Sequence, residues 1–399
     1  MEEHEIKRWD IGSHLYELLP LRLKKELEFL KNFFDPYTHR IYLVGGAVRD
    51  LYRIYTKQVS PEEANITDID IEVYSVEPHF FDELMKKIGA KGVGKSFFVY
   101  KFGSNIDIAL PRIERKIGVG HKAFEVKLAY DEREASKRRD FCMNALMLNI
   151  YNCNLLDFWG GLDDILNRRI KIIDEEKFKE DSLRVLRGMQ FAARFGYKID
   201  KKSAEIMKKI DLDDLSKERI FWEFEKLFGA KYLHFGLYYL LCLKISEKIL
   251  KISPKKYEFF KISKELAKKR EKFQPHLKKF YFLYIFSKNL HRNPLFFLDR
   301  IGATNEYRKA LSKQKFVPKN ITDRFLVALS MLYPIRDWLG NYADEVKKRA
   351  LMLGVWDRCF DGGVTPKQLI KEGYSGKELG IELRRRRLEI IRKRYKGRV

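Results

Sequence analysis

Hydrophobic positions recur along this chain with two different periods, and the change between them divides it. Over YELLPLRLKKELEFLKNFF, residues 16 to 34, apolar and charged residues alternate at helical spacing, which predicts a helical lead-in. From Arg40 to about Ile150 the pattern becomes short runs rich in β-branched and aromatic residues: IYLV, IDIEVY, FFVYKF, NIDIAL, AFEVKLAY and ALMLNI. One amphipathic stretch, Phe80 to Ile88, interrupts them. Runs of this kind, bounded by turn residues, predict a mixed sheet with few helices. Beyond about Leu155 the two-residue alternation fades. EDSLRVLRGMQFAARFG, KERIFWEFEKLFG and the lysine- and leucine-rich stretches after them have helical period and length. The expected class is α+β: a helical lead-in over 1–38, a sheet-bearing domain over 39–155, and all-α segments over 156–230 and 231–399. Trp222 and Phe224 are expected in the helical core, and no fixed-period repeat indicates a solenoid.

Composition narrows the partners. The 399 residues suffice for two or more domains, and 45% apolar with 14% aromatic residues belongs to a folded chain. Eighty basic against 56 acidic residues leave +24, an excess that fits a polyanion, either nucleic acid or an anionic membrane surface. No apolar run approaches the ~18 residues of a membrane span. The first residues, MEEHEIKRWD, are too charged for a signal peptide, so a cytoplasmic location is expected. Cys142, Cys153, Cys242 and Cys359 show neither a Cys-x-x-Cys pair nor zinc spacing, and read as buried thiols in a reducing compartment.

The chemistry begins in YLVGGAVRD, Tyr42 to Asp50. A strand, then Gly45-Gly46, then a helix starting near Ala47 turns backbone N–H groups toward a phosphate and removes the Cβ that would block it. Some twenty residues on, TDIDIEVY places Asp68 and Asp70 on one face of a strand. Asp107, in NIDIAL, is a third acid on another strand. Three such carboxylates can hold two Mg²⁺ ions ~3.5–4 Å apart, the arrangement that activates an attacking hydroxyl and stabilises departing pyrophosphate. Phosphate turn and acids together suggest nucleotidyl transfer. Farther along, Asp181 and Arg184 are read as i, i+3 neighbours on a helix. One only accepts and the other only donates hydrogen bonds, which suits the amino donor and ring-nitrogen acceptor of cytosine and adenine. Uracil and guanine present the opposite pattern, so the pair predicts use of CTP and ATP without a nucleic-acid template. Arg187, one turn beyond Arg184, either reaches a triphosphate or is an ordinary surface arginine. Arg112 to Phe124, RIERKIGVGHKAF, is either a mobile loop over the site or a plain surface hairpin.

In combination, these motifs resemble the class II branch of the polymerase-β-like nucleotidyltransferases, the bacterial CCA-adding enzymes (tRNA nucleotidyltransferases) and their poly(A) polymerase relatives. The resemblance runs in order from Tyr42 to Phe228. LVGGAVRD with DID is similar to the phosphate and metal motif; KRRDFCMNAL to the ribose motif, with Cys142-Met143 where the family usually has Thr-Ile; LDFWGGLDDI to the hinge between head and neck. EDSLRVLRGMQFAARFG resembles the nucleobase-selecting motif, LSKERIFWEFEKL the neck, and YSGKELGIELRRRR the tail. The resemblance implies a polymerase-β-like head followed by helical neck, body and tail. It implies addition of C and A to the tRNA 3′ end with Mg²⁺. By it Asp140 and Asn144 face the ribose, Arg139 joins the nucleotide-binding residues, and Arg49 with Asp50 matches the phosphate motif, bracing the loop. Its tRNA partner would be held by the acceptor and T arms through the basic body. In the last helix Leu379, Leu383 and Ile390 form an apolar stripe beside Arg384 to Arg387. No His-Asp dipeptide occurs, so no phosphohydrolase domain is expected. Partial addition (CC only or A only) and poly(A) synthesis use the same motifs, and in GVGKSFFVYKF only Lys95 lies beside the Gly94 turn, where the family's poly(A) polymerases tend to be strongly basic, which leans toward a tRNA enzyme. An inactive RNA-binding scaffold and nucleotidyl transfer to a small molecule are the remaining alternatives.

Overall fold

A computed structural model describes residues 2–94, 99–116, 124–268 and 270–395, and divides into two compact units, Met1–Leu215 and Ser216–Val399. The first unit opens with two helices, α1 (Glu2–Glu17) and α2 (Leu21–Phe34), where the sequence suggests one lead-in. Pro20 is the reason. It sits in extended geometry just before Leu21, and a proline disfavours helix in the residue ahead of it. The second helix buries Leu23, Leu27, Leu30 and Phe34, one stripe at helical spacing.

Strands β1 (Ile41–Val44), β2 (Ile69–Val73), β3 (Lys91–Gly94), β4 (Val99–Phe102), β5 (Ile106–Ala109), β8 (Met147–Asn149) and β9 (Leu155–Leu156) form one sheet in the order β3-β4-β5-β2-β1-β8-β9. Only β2 and β5 run parallel; the remaining neighbours are antiparallel. Between them, β6 (Arg112–Lys116) and β7 (Phe124–Leu128) pair with each other as a separate ribbon. AFEVKLAY is thus a strand outside the main sheet, and the flanks of the Gly-punctuated stretch are hairpin arms. Residues 117–123 of that stretch, and Lys95, lie outside the described residues.

Two-residue alternation gives the sheet two distinct faces. Ile41, Leu43, Ile71, Val73, Ile106 and Ile108 are buried on one, where helix α3 (Gly46–Tyr55) packs against β1 and β2. On the other face Tyr42 and Val44 pack with Tyr74, Ala129, Ala135 and Met147. Cross-strand register continues that second face onto acids, because Val44 lies opposite Asp70 and Tyr42 opposite Glu72.

The LDFWGGLDDI segment is a capped turn. Asp157 accepts hydrogen bonds from the amides of Trp159, Gly161 and Leu162 (3.3, 2.8 and 3.0 Å) as the helix Gly161–Leu166 begins. Gly161 must be glycine, since a Cβ there would meet the Cys142 carbonyl oxygen at 2.4 Å.

Helices joined by turns, with no strand, make up the described residues of the second unit. Its first helix, Lys217–Gly229, buries Phe224 at 1% exposure and leaves Trp222 at 54%, so the expectation of a core Trp222 is corrected. Two residues along a helix are about 200° apart, and both rings cannot face inward. The thiols are corrected likewise: Cys142 is buried but Cys359 is exposed. In the last helix, Gly376–Arg394, the buried positions are Glu382 and Ile391, not the expected stripe of Leu379, Leu383 and Ile390. Arg385 and Arg386 both bind Glu382, Arg386 also reaches Glu372, and Arg387 donates to the Val364 carbonyl. Among the described residues no helix is long and apolar enough to cross a membrane.

Removing the Asp157 cap leaves the amides of Trp159, Gly161 and Leu162 without their acceptor. Asp157→Ala is expected to lower stability by about 1–2 kcal/mol. A urea unfolding curve followed by a probe in the first unit checks this, and an unchanged midpoint would show that the cap is dispensable.

Candidate active site

The site grows from the end of β1. Gly45 has φ +72° and ψ −127°, a conformation open essentially to glycine alone. A Cβ on Gly45 would also lie 2.9 Å from Arg139 Nη1. Gly46 then opens α3, whose first-turn amides lie outside the intrahelical ladder and at the positive end of the helix dipole. Both glycines border a cleft of about 440 Å³ shared with Arg49, Asp70, Arg139, Asp140, Asn144, Asp181, Arg184 and Arg187. A smaller adjoining cleft of about 270 Å³ adds Glu72 and Asp107 and shares Asp70, Arg138 and Arg139.

Parallel pairing of β2 with β5 sets Asp70 directly beside Asp107. Asp70 faces solvent at the cleft but is crowded by protein. That partial desolvation raises its pKa, Arg139 opposes the rise, and Asp107, Glu72 and Asp68 add to it. Asp107 Oδ1 is held 3.1 Å from Lys101 Nζ. Asp68, within the field of Asp70, lies at the margin: it accepts from Asn105 Nδ2 at 2.9 Å and Thr67 Oγ1 at 3.1 Å, and lines neither cleft. The expected trio of acids is therefore brought together only in part. Among the described residues no three carboxylate, imidazole or thiol side chains converge as a closed metal cage. An open site remains, with crowded carboxylates whose charge calls for a cation. That suits Mg²⁺, which is usually bound by one or two carboxylates together with substrate phosphates and water.

Beneath the acids lies a residue the sequence reading passed over. Glu72 is 3% exposed and its Oε1 accepts from Arg138 Nη2 (3.0 Å) and Arg139 Nη2 (2.9 Å), while Oε2 accepts from the Tyr74 hydroxyl (2.9 Å). Burial alone would raise its pKa; Arg139 and Arg138 more than offset this and hold it below the usual carboxylate range. The signal was present in DIDIE, since alternation carries Asp68, Asp70 and Glu72 onto one face.

A second network braces the turn. Arg49 is buried, donates to both oxygens of Asp50 (3.1 and 2.7 Å) and to Asn144 Oδ1 (2.6 Å). Asn144 Nδ2 donates to Asp140 Oδ1 (2.9 Å), and Arg187 Nε donates to Asp140 Oδ2 (2.7 Å). Arg187 is thus paired across the cleft with Asp140, neither free at the surface nor extended into solvent. Burial would raise the pKa of Asp140, but Arg187 and the Asn144 hydrogen bond keep it lowered. Burial of Asp50 is likewise outweighed by Arg49 and Arg53.

Asp181 and Arg184 both line the cleft, with one correction to their placement. The helix begins at Leu183, so Asp181 precedes it and accepts from the Leu183 amide at 3.2 Å. An acid just ahead of a helix start is favoured by the exposed amides there. Arg184 Nη1 and Nη2 donate to the carbonyls of Lys177 (2.6 Å) and Arg138 (2.7 Å), which fixes the plane of its guanidinium.

A small mixed sheet with paired acids beside a glycine turn, carried ahead of helices, defines a nucleotidyltransferase head on a helical body. Residues 41–171 match the Poly A polymerase head domain family. A CCA-adding enzyme of Streptococcus agalactiae is 31% identical over 243 residues, 57% of this chain and 58% of that protein. The chain thus spans less than two thirds of the length of such relatives. In fold, it is similar to the Bacillus stearothermophilus CCA-adding enzyme in complex with CTP (TM-score 0.67, 19% identity, 94% of each chain). A further likeness is to the Thermotoga maritima CCA-adding enzyme complexed with tRNA_CCA (TM-score 0.65, 19% identity, 98% of this chain and 95% of that one). Residues 41–171 are thus similar to the Poly A polymerase head domain, and the chain shares the fold of CCA-adding enzymes.

The lowered carboxylates make a pH prediction. Asp50, Glu72 and Asp140 have folded pKa values below their ordinary ones, so their contribution is complete above the ordinary carboxylate range and is lost as pH falls through it. The urea midpoint should drop steeply below about pH 4.5. Glu72→Gln should cost about 2–4 kcal/mol at neutral pH, by leaving two arginines without their acid, and flatten the acid limb. An acid limb as steep as that of the wild type would refute the assignment.

Proposed function

We propose that the chain is a template-independent RNA nucleotidyltransferase that adds C and A to the 3′ end of tRNA from CTP and ATP, in the cytoplasm, with release of pyrophosphate. One observation carries the reading: a single cleft is bordered by the Gly45-Gly46 turn, by Asp70, by the Asp140–Asn144–Arg187 network and by Asp181 with Arg184. Phosphate, reacting centre, ribose and base each have a partner there. The head-domain match and the similarity to CCA-adding enzymes support it. So do fold neighbours that carry CTP and tRNA.

In this reading the 3′ hydroxyl of the RNA attacks the α-phosphorus of the nucleotide. The new P–O bond forms as the hydroxyl gives up its proton to water and the bond to the β-phosphate breaks, and pyrophosphate leaves with that electron pair. Asp70 and Asp107, with Asp68 nearby, would hold Mg²⁺, which when bound activates the hydroxyl and neutralises charge on the leaving group. The first-turn amides of α3 and Arg139 receive the triphosphate, and Gly45 and Gly46 let it approach. Asp140 holds Asn144 and Arg187 toward the ribose. Arg184, pinned by two carbonyls, offers its remaining N–H groups to cytosine N3 or adenine N1, while Asp181 accepts from the exocyclic amine. A carbonyl facing Asp181 and an N–H facing Arg184 leave both contacts unmade, which rejects UTP and GTP. The basic second unit holds the acceptor and T arms by their phosphates.

The test supplies each labelled NTP with Mg²⁺ to tRNA transcripts ending at the discriminator base, after one C, and after CC. Two C additions to the first and one A to the last, followed by a stop, are expected. C alone or A alone would mean half of a split pathway, a long A tail would mean poly(A) synthesis, and no incorporation would mean a scaffold. Asp70→Ala should lower the rate by on the order of 10³-fold or more, with tRNA binding retained. EDTA should do the same.

A further inference from the structure

Arg385, Arg386 and Arg387 of the last helix are bound within the protein, which leaves the question of where else the second unit carries unpaired positive charge. Lys251, Lys255, Lys256, Lys261, Lys264 and Lys268 are exposed, and none of their ammonium groups pairs with an acid among the described residues. The two acids of the same stretch act locally: Glu258 accepts from the Lys255 amide, and Glu265 binds Lys288 and Asn289. Around these lysines the surface is aromatic. The helix Lys256–Leu266 buries Ile262 and Leu266 and leaves Tyr257 and Phe260, one turn apart, 65% and 59% exposed. Phe259 packs edge-on against Tyr238 of the helix Leu233–Cys242, with ring centroids 6.5 Å apart, and Tyr238 is itself 49% exposed. Three large rings open to water are held on two packed helices among cations that have no internal partner.

From this face we infer that the second unit carries a stacking platform for unpaired bases of RNA, with Tyr257 and Phe260 as stacking surfaces and Lys261 and Lys264 as phosphate contacts. Flat rings accept any base, and lysines beside them track the backbone without reading sequence. A membrane-surface helix turns a broad face of Trp, Phe and Leu to the bilayer, whereas this helix buries Ile262 and Leu266 within the protein and leaves only Tyr257 and Phe260 outward. This extends the nucleotidyl-transfer reading by adding a mode of RNA binding, but does not depend on chemistry at Asp70.

The test is fluorescence anisotropy with a labelled, unstructured 12-nucleotide RNA, the full chain, and EDTA present so that no transfer occurs. Tyr257→Ala and Phe260→Ala should each weaken binding roughly tenfold, and Tyr257→Phe should bind as wild type does. Lys261→Ala with Lys264→Ala should reduce the slope of log K against log salt by about 1.4, two single-strand phosphate contacts. All four positions are exposed, so thermal midpoints should not move. Wild-type affinity in both alanine variants, or an equal loss in Tyr257→Phe, overturns the proposal. So does ring-dependent capture by phosphatidylserine vesicles with RNA binding unchanged. Should the wild type fail to extend tRNA yet bind this RNA in a ring-dependent way, the catalytic reading falls and the platform stands.

Discussion

The buried carboxylate of Glu72 is the interaction on which the site depends. Two arginines follow one another in the chain, Arg138 and Arg139, and left alone they would repel each other and turn to water. One acid, 3% exposed on the central strand, takes a hydrogen bond from each. Such a pair is not a source of great stability, because desolvation cancels much of the attraction. What it fixes is position. Arg139 is held against Gly45 and within the field of Asp70, so a cation stands between that turn and that carboxylate, where the proposed function puts triphosphate and metal. A preorganised charge need not be rearranged during reaction, and that is where electrostatic catalysis gains most.

The same economy appears at Arg184, which the proposed function gives to base selection. An arginine free to rotate would follow any base that offered an acceptor. Arg184 is tied on two nitrogens to carbonyls that cannot move independently of the fold, those of Lys177 and Arg138. In the proposed function a wrong base would then meet a donor that will not turn away, and the unmade hydrogen bond would stay unmade. Because one of those carbonyls belongs to Arg138, the anchored arginine pair and the selecting arginine share a backbone segment. Asp70, the Gly45 turn and Arg184 are therefore linked through residues 138–144, which supply Arg139 beside the first two and a carbonyl acceptor for the third.

Much of this was legible in the sequence, for reasons that particular residues make clear. Gly45-Gly46, Asp70 and Asp107 were found because strand alternation and glycine conformation are local properties, written over a few residues. Glu72 followed the same alternation and was overlooked because an acid next to two others looks like more of the same surface. Only pairing of β2 with β1 shows it beneath the arginines. Arg187 was ambiguous because its partner, Asp140, is 47 residues away. The break at Pro20, the outward face of Trp222 and the start of the helix after Asp181 were each readable from local rules, and were missed where a longer pattern was allowed to override them.

Charge illustrates the limit most directly. Counting residues shows a surplus of +24 but not where it is available. The run Arg384 to Arg387 is the densest basic cluster in the chain, yet Arg385 and Arg386 are bound to Glu382 and Arg387 to a carbonyl. The lysines between residues 251 and 268 are more dispersed and look unremarkable in sequence, yet no described acid takes them up. A cation already satisfied within the protein must give up that partner to bind a phosphate, so its contribution to RNA affinity is a difference between two similar interactions. An unpaired lysine gives up only water and counterions, and counterion release is the larger part of the affinity of nucleic-acid binding. By that measure the lysine face, and not the arginine run, is where the second unit has the most to gain from a polyanion.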